Sequence, residues 1–189
     1  DDSAKVAETF GAQVVDEPRR GITWAAHAGY DAALAAGADL IVRTDADAWV
    51  DERFVAMLVD HWALNTEPAA GLKHRKSIVG LTGPAVFDLP RFGRLAARIY
   101  LGAYHLSVGS ALGHPPFFGT NCAFSTRWWA QVRGDIDSSD TYAHDDIQLS
   151  FAVRTDETVI YAAKLEVFMD SRALRCTRQL RKRFSRGWY

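Results

Sequence analysis

Asp45 and Asp47 stand two residues apart, directly after an apolar run at residues 40–42. The run predicts a strand at 40–43, and in extended backbone both carboxylates point to one side at its carboxyl end. Open α/β sheets bind ligands at that end. Two carboxylates suit Mg²⁺ or Mn²⁺, which complete their shell with water and substrate phosphates. The alternative is that these residues only solvate a turn before a helix capped by Asp51.

A second acidic pair, Asp145 and Asp146, follows His144 and opens a predicted helix at 145–153. The helix dipole and the free N–H groups of the first turn stabilise carboxylates there, so one interpretation is a structural cap. The other interpretation is that a carboxylate at this position accepts the proton of an attacking hydroxyl within hydrogen-bond reach.

The third feature with chemical potential is the segment Gly119, Thr120 and Asn121, which precedes a predicted strand. A glycine beside small polar residues lets the backbone approach a ligand closely. The alternative is an ordinary turn entering the strand. The sequence leaves both interpretations open.

The elements that would position these groups alternate between helices and strands. In the first half we expect a helix from Asp2 or Ser3 to Phe10, a strand at 12–15, a helix at 22–36 and the strand at 40–43. Gly11 and Gly37 end the two helices. A strand, a helix and another strand in this order predict a parallel pair with a right-handed crossover.

In the second half, Asp51 begins a helix to Leu64, and strands are expected at 77–81, 159–161 and 167–169. Asp88 and Pro90 begin a longer amphipathic helix. Its apolar side, which we expect to pack on the sheet, contains Phe92, Leu95, Ile99, Ala103 and Leu106.

Composition is that of one globular domain, residues 1–189, with 48% hydrophobic residues and a net charge of −1. That charge does not favour nucleic-acid binding. Cys122 and Cys176 lack metal-ligand spacing, which suits a reducing cytosol and no catalytic role. The chain opens without a signal peptide, and the least charged stretch, 99–113, is too short to span a bilayer. We therefore expect a cytoplasmic protein, soluble or peripheral at a membrane.

Together and in this order, the motifs resemble those of family 2 glycosyltransferases of GT-A fold. Residues 44–47 match the Asp-x-Asp motif, 119–124 the glycine-rich donor and acceptor loop, and 145–150 the motif written Glu-Asp-x-x-Leu, with Asp145 replacing Glu. Residues 4–29 are similar to the run that precedes the metal motif. The resemblance implies an α/β fold, GT-A-like and Rossmann-related, with a mixed, mainly parallel sheet flanked by helices.

The resemblance also implies an activity, the inverting transfer of a sugar from a nucleotide-diphosphate donor to a hydroxyl acceptor, lipid-linked or polysaccharide. Mn²⁺ or Mg²⁺ would be bound by Asp47, while Asp45 would contact the ribose or the water shell of the metal. Asp146 would be the general base, with Asp145 supporting it or touching the acceptor.

For the remaining positions, the resemblance places Arg20 and Gly21 near the nucleotide. Gly119, Thr120 and Asn121 would line the sugar pocket. The first strand of the family, with its nucleoside-binding acidic residue, would precede Asp1, so we expect an N-terminally incomplete domain. Two alternatives stay open, namely a sugar-phosphate nucleotidyltransferase and a non-catalytic binding domain of GT-A fold.

Two further features concern surfaces. From Arg172 to the end there are seven Arg and Lys and no acidic residue, with Cys176, Leu180, Phe184 and Trp188 at helical spacing. Such a helix could contact an anionic membrane, or be a solvated basic face covering the core. Trp128 and Trp129 could stack on a sugar or fill the core.

Overall fold

The computed structural model describes residues 2–66, 76–89, 92–140 and 144–171. Its α-helices are α1 (Ser3–Thr9), α2 (Ile22–Ala35), α3 (Phe54–Thr66), α4 (Gly93–Tyr104), α5 (Ser110–Leu112), α6 (Thr126–Val132) and α7 (Asp145–Phe151). Its strands are β1 (Leu40–Arg43), β2 (Ala48–Val50), β3 (Ser77–Thr82), β4 (Ala85–Phe87), β5 (Cys122–Ser125), β6 (Glu157–Tyr161) and β7 (Val167–Met169). A π-helical segment, His105–Gly109, joins α4 to α5.

Four strands form the larger sheet, in the order β1-β5-β3-β6. β5 is antiparallel to both β1 and β3, whereas β3 and β6 are parallel. Three of the four strands therefore run in one direction, and their carboxyl ends meet the amino end of β5 at one edge. Residues 44–47 follow β1 at this edge, and residues 119–121 precede β5 there.

The smaller sheet has the order β2-β7-β4, with β7 antiparallel to β2 and parallel to β4. β2 and β4 are short strands that the sequence did not predict. Asp88 N–H donates to the carbonyl of Met169 at 2.9 Å, which ties the segment before α4 to the end of β7.

Aromatic side chains form the core on one face of the larger sheet. The Tyr30 ring of α2 meets the rings of Phe124 and Trp129 edge-on, each at a centroid distance of 5.1 Å. Trp129 Nε1 also donates to Asp31 Oδ1 at 2.8 Å, joining α6 to α2. Aromatic pairs of this geometry add stabilisation beyond their buried area.

The opposite face of the sheet is covered by α3, whose Phe54 and Leu58 pack with Leu81, Ala123 and Leu165. Neighbouring residues of β5 thus belong to the core layers on different sides of the sheet, because Ala123 and Phe124 point to opposite faces. Helices flank both faces of the sheet, as the sequence predicted.

Two of the expected helices and their stop signals are confirmed. α1 ends at Thr9 before Gly11, and α2 ends at Ala35 before Gly37. Both glycines adopt positive φ, 80° and 77°, which L-residues with a side chain rarely do.

The predicted strand at 12–15 is wrong. These residues form no strand, and Val14 and Val15 are exposed. Among the residues that the structure describes, β1 pairs with β5 alone. A β-branched pair does not form a strand by itself, because a strand needs a neighbour to satisfy its backbone groups.

The predicted packing face of the amphipathic helix is also wrong. Gly93, Ala97 and Leu101 of α4 are buried, whereas the apolar side chains expected inside point outward. The reason is close packing, since a Cβ on Gly93 would lie only 2.0 Å from the carbonyl oxygen of Phe87. Small residues at positions 93 and 97 let α4 approach β4, and a side chain at position 93 does not fit there.

Two predictions concern the membrane and the basic segment. No helix within the described ranges is long and apolar enough to cross a membrane. The basic segment after Arg172, with Cys176, lies outside the described residues.

Candidate functional site

The edge where β1 ends and β5 begins brings two of the sequence motifs together. Arg43, the last residue of β1, pairs in register with Cys122, the first residue of β5. Residues 44–47 therefore leave the sheet beside residues 119–121, which enter it. The antiparallel register, with no crossover needed, makes these two segments neighbours.

Two consecutive loop residues hold the two acidic motifs. Thr120 Oγ1 donates to Asp45 Oδ2 at 2.6 Å, and the N–H of Gly119 donates to Asp146 Oδ2 at 3.0 Å. Adjacent Cα atoms are about 3.8 Å apart, so the carboxylates of Asp45 and Asp146 converge on one short segment. We call residues 119–121 the bridging loop.

Asp47 lies in a turn and not in extended backbone. The Ala48 N–H donates to the carbonyl of Asp45 at 3.1 Å, and Ala46 and Asp47 form the turn between them. The expected extended geometry is therefore wrong here. Asp45 and Asp47 are nevertheless both exposed, and two intervening peptide bonds keep their Cα atoms within roughly 7 Å of one another.

Arg43 is a site residue that the sequence analysis missed. Its guanidinium forms an ion pair with Asp145 at the start of α7, and both side chains are largely buried. A Cβ added to Gly119 would lie 3.0 Å from Arg43 Nη2, so the bridging loop passes directly over this guanidinium. A basic residue at the end of an apolar strand, just before an acidic motif, is the signal that could have indicated it.

Asp146 combines burial with hydrogen bonds to its ionised form. Its Oδ1 accepts from the Ile147 N–H at 2.9 Å, in addition to the Gly119 bond at Oδ2. Burial raises the pKa of Asp146, and the neighbouring Asp145 charge raises it further, against the opposing effect of Arg43. A carboxylate with a raised pKa is a better proton acceptor than an ordinary surface aspartate.

Asp145 and Asp146 are therefore not equivalent. The carboxylate of Asp145 is buried against Arg43, whereas Asp146 is a half-buried residue. The ion pair with Arg43 balances the negative charge of Asp145 inside the protein. This geometry favours support of Asp146 over direct contact with an acceptor.

Asn121, the third bridging-loop residue, has a structural role, and its predicted place in a sugar pocket stays a prediction. Its side chain is buried, and Nδ2 donates to the carbonyls of Pro84 and Leu165 at 2.8 and 2.6 Å. Thr82 Oγ1 donates to the Asn121 carbonyl at 3.3 Å. Asn121 thus anchors the loop to β3 and to the segment before β7.

Arg20 and Gly21 lie at the start of α2, where Gly21 precedes the helix with φ of +149°. Both are exposed. The neighbouring Arg19 forms a salt bridge with Glu17 at 2.6 Å and lies 3.8 Å over the Trp24 ring. The nucleotide contacts predicted for Arg20 and Gly21 stay a prediction.

The tryptophans after the bridging loop belong to the core, which excludes the sugar-stacking interpretation. Trp128 and Trp129 are buried, and Trp128 Nε1 donates to Glu157 Oε2 at 3.1 Å.

Cys122 is also buried, and burial raises the pKa of its thiol to about 12. A buried thiol with a raised pKa is mostly protonated at neutral pH, and the absence of a catalytic role for Cys122 stays a prediction.

The donor set at the end of β1 fits a hard divalent cation that is shared with a ligand. Within the described ranges there is no group of three or more His, Cys, Asp or Glu side chains placed to hold a metal ion. Asp45 and Asp47 would provide two carboxylates, with that of Asp45 oriented by Thr120. Mg²⁺ and Mn²⁺ tolerate such sparse sites because water and substrate phosphates complete their shell.

A cavity of about 400 Å³ opens near the same edge of the sheet. It is lined by His105, Gly109, Ser110, His114, Pro115, Pro116 and Tyr161. Pro116 precedes the bridging loop by three residues, and Tyr104 Oη donates to the Phe117 carbonyl between them at 2.9 Å. His105 Nε2 is buried without a hydrogen-bond partner in the described structure. π-helical segments such as 105–109 occur frequently at functional sites.

No family model and no curated protein matches this chain. Among solved structures, it is similar to glucosyl-3-phosphoglycerate synthase from Mycobacterium tuberculosis in complex with Mn²⁺, uridine-diphosphate-glucose and phosphoglyceric acid. The TM-score is 0.50 and the identity 19%, over 100% of this chain and 65% of that chain. The chain thus spans about two thirds of the length of the structure it matches. This likeness confirms the predicted fold, a mixed α/β architecture similar to that of a GT-A glycosyltransferase.

Proposed function

We propose that the chain carries the active site of an inverting glycosyltransferase, which moves a sugar from a nucleotide-diphosphate donor to a hydroxyl acceptor. The observation that carries this proposal is the bridging loop. Its residues Gly119 and Thr120 bind Asp146 and Asp45, and this proximity supports the proposal that a proton acceptor, Asp146, works beside a carboxylate pair that binds the cation. The resemblance of the motifs and the GT-A-like fold support it, while fold alone does not determine function.

On the donor side, Asp47 and Asp45 would hold Mn²⁺ or Mg²⁺ together with the donor diphosphate. When bound, the cation neutralises the charge that develops on the leaving nucleoside diphosphate. The protein contributes the orientation of Asp45, which the Thr120 hydroxyl fixes from outside the metal shell. Arg20 and Gly21 remain our candidates for the nucleotide.

On the acceptor side, Asp146 would take the proton of the attacking hydroxyl as its oxygen bonds to the anomeric carbon. The bond from that carbon to the diphosphate oxygen breaks, and the nucleoside diphosphate leaves with the electron pair. A single displacement inverts the anomeric configuration. Asp145, held by Arg43, is a positioning residue in this scheme.

The cavity beside the π-helical segment is our candidate for the acceptor approach. It borders the chain that leads into the bridging loop, and its wall combines proline and tyrosine rings with imidazole and hydroxyl groups. Such a wall suits a hydroxyl compound with an apolar face. Lipid-linked and polysaccharide acceptors both satisfy this description.

The test uses the full-length protein with Mn²⁺ and UDP-glucose, followed by other nucleotide sugars, and a panel of hydroxyl acceptors. Release of the nucleoside diphosphate with formation of an inverted glycoside supports the proposal. Release of pyrophosphate from a nucleoside triphosphate and a sugar 1-phosphate would instead establish a nucleotidyltransferase. Thermal stabilisation by a nucleotide without any turnover would indicate a binding domain.

A further inference from the structure

The cavity beside the π-helical segment has a wall of flat rings. Its volume of about 400 Å³ lies within the roughly 300–1,000 Å³ that is usual for small-molecule sites. The rings of Pro115, Pro116 and Tyr161 form the apolar part of the wall. The His105 and Tyr161 rings meet edge to face at a centroid distance of 5.2 Å, which holds the tyrosine in place. Such a wall suits a ligand with a flat apolar face.

Hydrogen bonds connect the cavity wall to the candidate active site. Pro116 is followed by Phe117, whose N–H donates to Ser150 Oγ at 2.9 Å. The Ser150 hydroxyl donates in turn to the carbonyl of Asp146 at 2.7 Å. The position of the wall is therefore fixed relative to Asp146, which we propose as the base.

Two polar side chains of the wall offer hydrogen-bond acceptors to a ligand. Ser110 Oγ donates its proton to the carbonyl of Leu106 at 2.6 Å, so its lone pairs are what it presents. His114 Nδ1 lies 2.9 Å from the carbonyl oxygen of Pro115, which only accepts, so Nδ1 carries the proton. In the neutral ring, His114 Nε2 is then an acceptor. Both side chains suit a ligand whose groups donate.

The charges around the cavity do not favour an anion. Among the described residues that line it there is no Arg or Lys. Glu166 raises the pKa of Tyr161 and Arg98 lowers it, so charges of both signs act at this side of the wall. Glu166 is itself ion-paired with Arg94. Burial lowers the pKa of His105, which keeps its imidazole neutral at neutral pH. A phosphate or carboxylate would lose hydration here without gaining a cation in the wall.

We propose that this cavity binds an uncharged sugar ring, and that this ring is the acceptor substrate of the transfer. The inference rests on the proposed function and narrows its substrate class to neutral saccharides. Ring hydroxyls would donate to Ser110 Oγ and His114 Nε2, while the C–H face of the ring lies against the proline and tyrosine rings. A charged group on the ring would bring acceptors to acceptors.

The experiment measures sugar binding without a donor, so that its result does not depend on turnover. Saturation-transfer NMR of the full-length protein is run with methyl β-glucoside, maltose and cellobiose as neutral probes. Glucose 6-phosphate is the charged counterpart. Titrations give the dissociation constant of each probe.

Two variants with matched controls locate the binding. Gly109 lines the cavity, and a Cβ there would lie 3.3 Å from Pro116 Cδ, so Gly109→Leu narrows the space. Its control is Gly102→Leu on α4, where an added Cβ meets no atom within 4 Å. Ser110→Ala removes an exposed hydroxyl from the wall. Its control is Ser107→Ala, since the Ser107 hydroxyl also donates to a carbonyl of the preceding turn but does not line the cavity. Thermal melts verify that all four variants fold.

We expect at least one neutral sugar to bind, and glucose 6-phosphate to bind at least about tenfold more weakly than it. Gly109→Leu should raise the dissociation constant of the neutral sugar at least about tenfold because the added side chain occupies the cavity. Ser110→Ala should raise it about three- to tenfold through the lost hydrogen bond. Both controls should stay within about twofold of the parent protein.

Three results would overturn the proposal. They are tighter binding of glucose 6-phosphate than of every neutral sugar, neutral binding that both cavity variants retain in full, and no binding of any probe. Neutral sugars that bind in the cavity but are glycosylated by no nucleotide sugar would contradict the proposed function and leave this site supported. Transfer to phosphorylated or carboxylated acceptors alone would support the proposed function and overturn this inference.

Discussion

Arg43 and Asp145 form a buried ion pair between residues 102 positions apart in the chain. The pair joins the end of β1 to the start of α7, and therefore fixes the acidic motif after β1 relative to the acidic helix start. Gly119 lies against the guanidinium, so the bridging loop is part of the same arrangement. The relative position of Asp45 and Asp146 thus depends on a residue that neither motif contains.

The first prediction concerns the stability that this pair provides. Arg43→Met leaves Asp145 as an uncompensated buried charge and should destabilise the fold by about 3–5 kcal/mol. Asp145→Asn should have a similar effect through Arg43. The double variant should lose clearly less than the sum of the two, as measured by urea denaturation. Additive losses would show that the two charges do not interact.

The second prediction is a pH profile. If Asp146 must be ionised to accept a proton, kcat/KM falls as the pH drops through its pKa, which burial and Asp145 raise above the ordinary value of 3.8. Asp145→Asn removes a like charge, lowers the pKa of Asp146 and should move this acid limb to lower pH. Arg43→Gln removes an opposite charge and should move it to higher pH. Shifts of the same sign in both variants would contradict the assignment.

Local signals in the sequence were sufficient to predict α2 and β1. Helix periodicity and the stop at Gly37 define α2, and a run of apolar residues defines β1. These features depend on neighbours in the chain. The Asp-x-Asp position at the end of β1 follows directly from them.

Features that depend on tertiary contacts were either not predicted from the sequence or predicted wrongly. Residues 12–15 have strand composition but no strand partner in the described structure, and α4 presents to β4 the side that contains Gly93. Amphipathicity defined which residues of α4 share a side, but not which side packs. Arg43 could not be paired with Asp145 before the sheet register was known, because more than a hundred residues separate them.

The third prediction tests the hydroxyl that orients Asp45. Thr120→Val keeps the shape of the side chain but removes the 2.6 Å hydrogen bond to Asp45 Oδ2. Loss of such an outer contact typically weakens metal affinity by about 10–100-fold. We expect that range for Mn²⁺ measured by calorimetry in the presence of UDP. Thr120→Ser should restore affinity, and a serine variant as weak as the valine variant would argue against a role for the hydroxyl.

The fourth prediction separates Asp146 chemistry from folding. Burial disfavours the ionised form of Asp146, so at neutral pH its charge reduces the stability of the fold. Asp146→Asn loses one of the two acceptor oxygens but also removes this unfavourable charge, so the variant should still fold in a thermal melt, while sugar transfer falls by at least about 100-fold. Affinity for the nucleotide with Mn²⁺ should be unchanged. Retained transfer would exclude Asp146 as the base.

The matched test on the donor side is Asp47→Ala, with Asp60→Ala as its control. Asp60 is an exposed carboxylate on α3 and lies outside the proposed site. We expect Asp47→Ala to abolish metal-dependent transfer and the thermal stabilisation by Mn²⁺ with UDP. Asp60→Ala should change neither. Persistent turnover in the Asp47 variant would count against the proposed activity.

The most direct test of the account is the position of Mn²⁺ in crystals of the full-length protein grown with UDP, located by anomalous diffraction. We predict a peak about 2 Å from a carboxylate oxygen of Asp47, with Asp45 beside it and the Asp146 carboxylate facing the same space across the bridging loop. A peak bound elsewhere, or none at these carboxylates while UDP is present, would contradict the shared site.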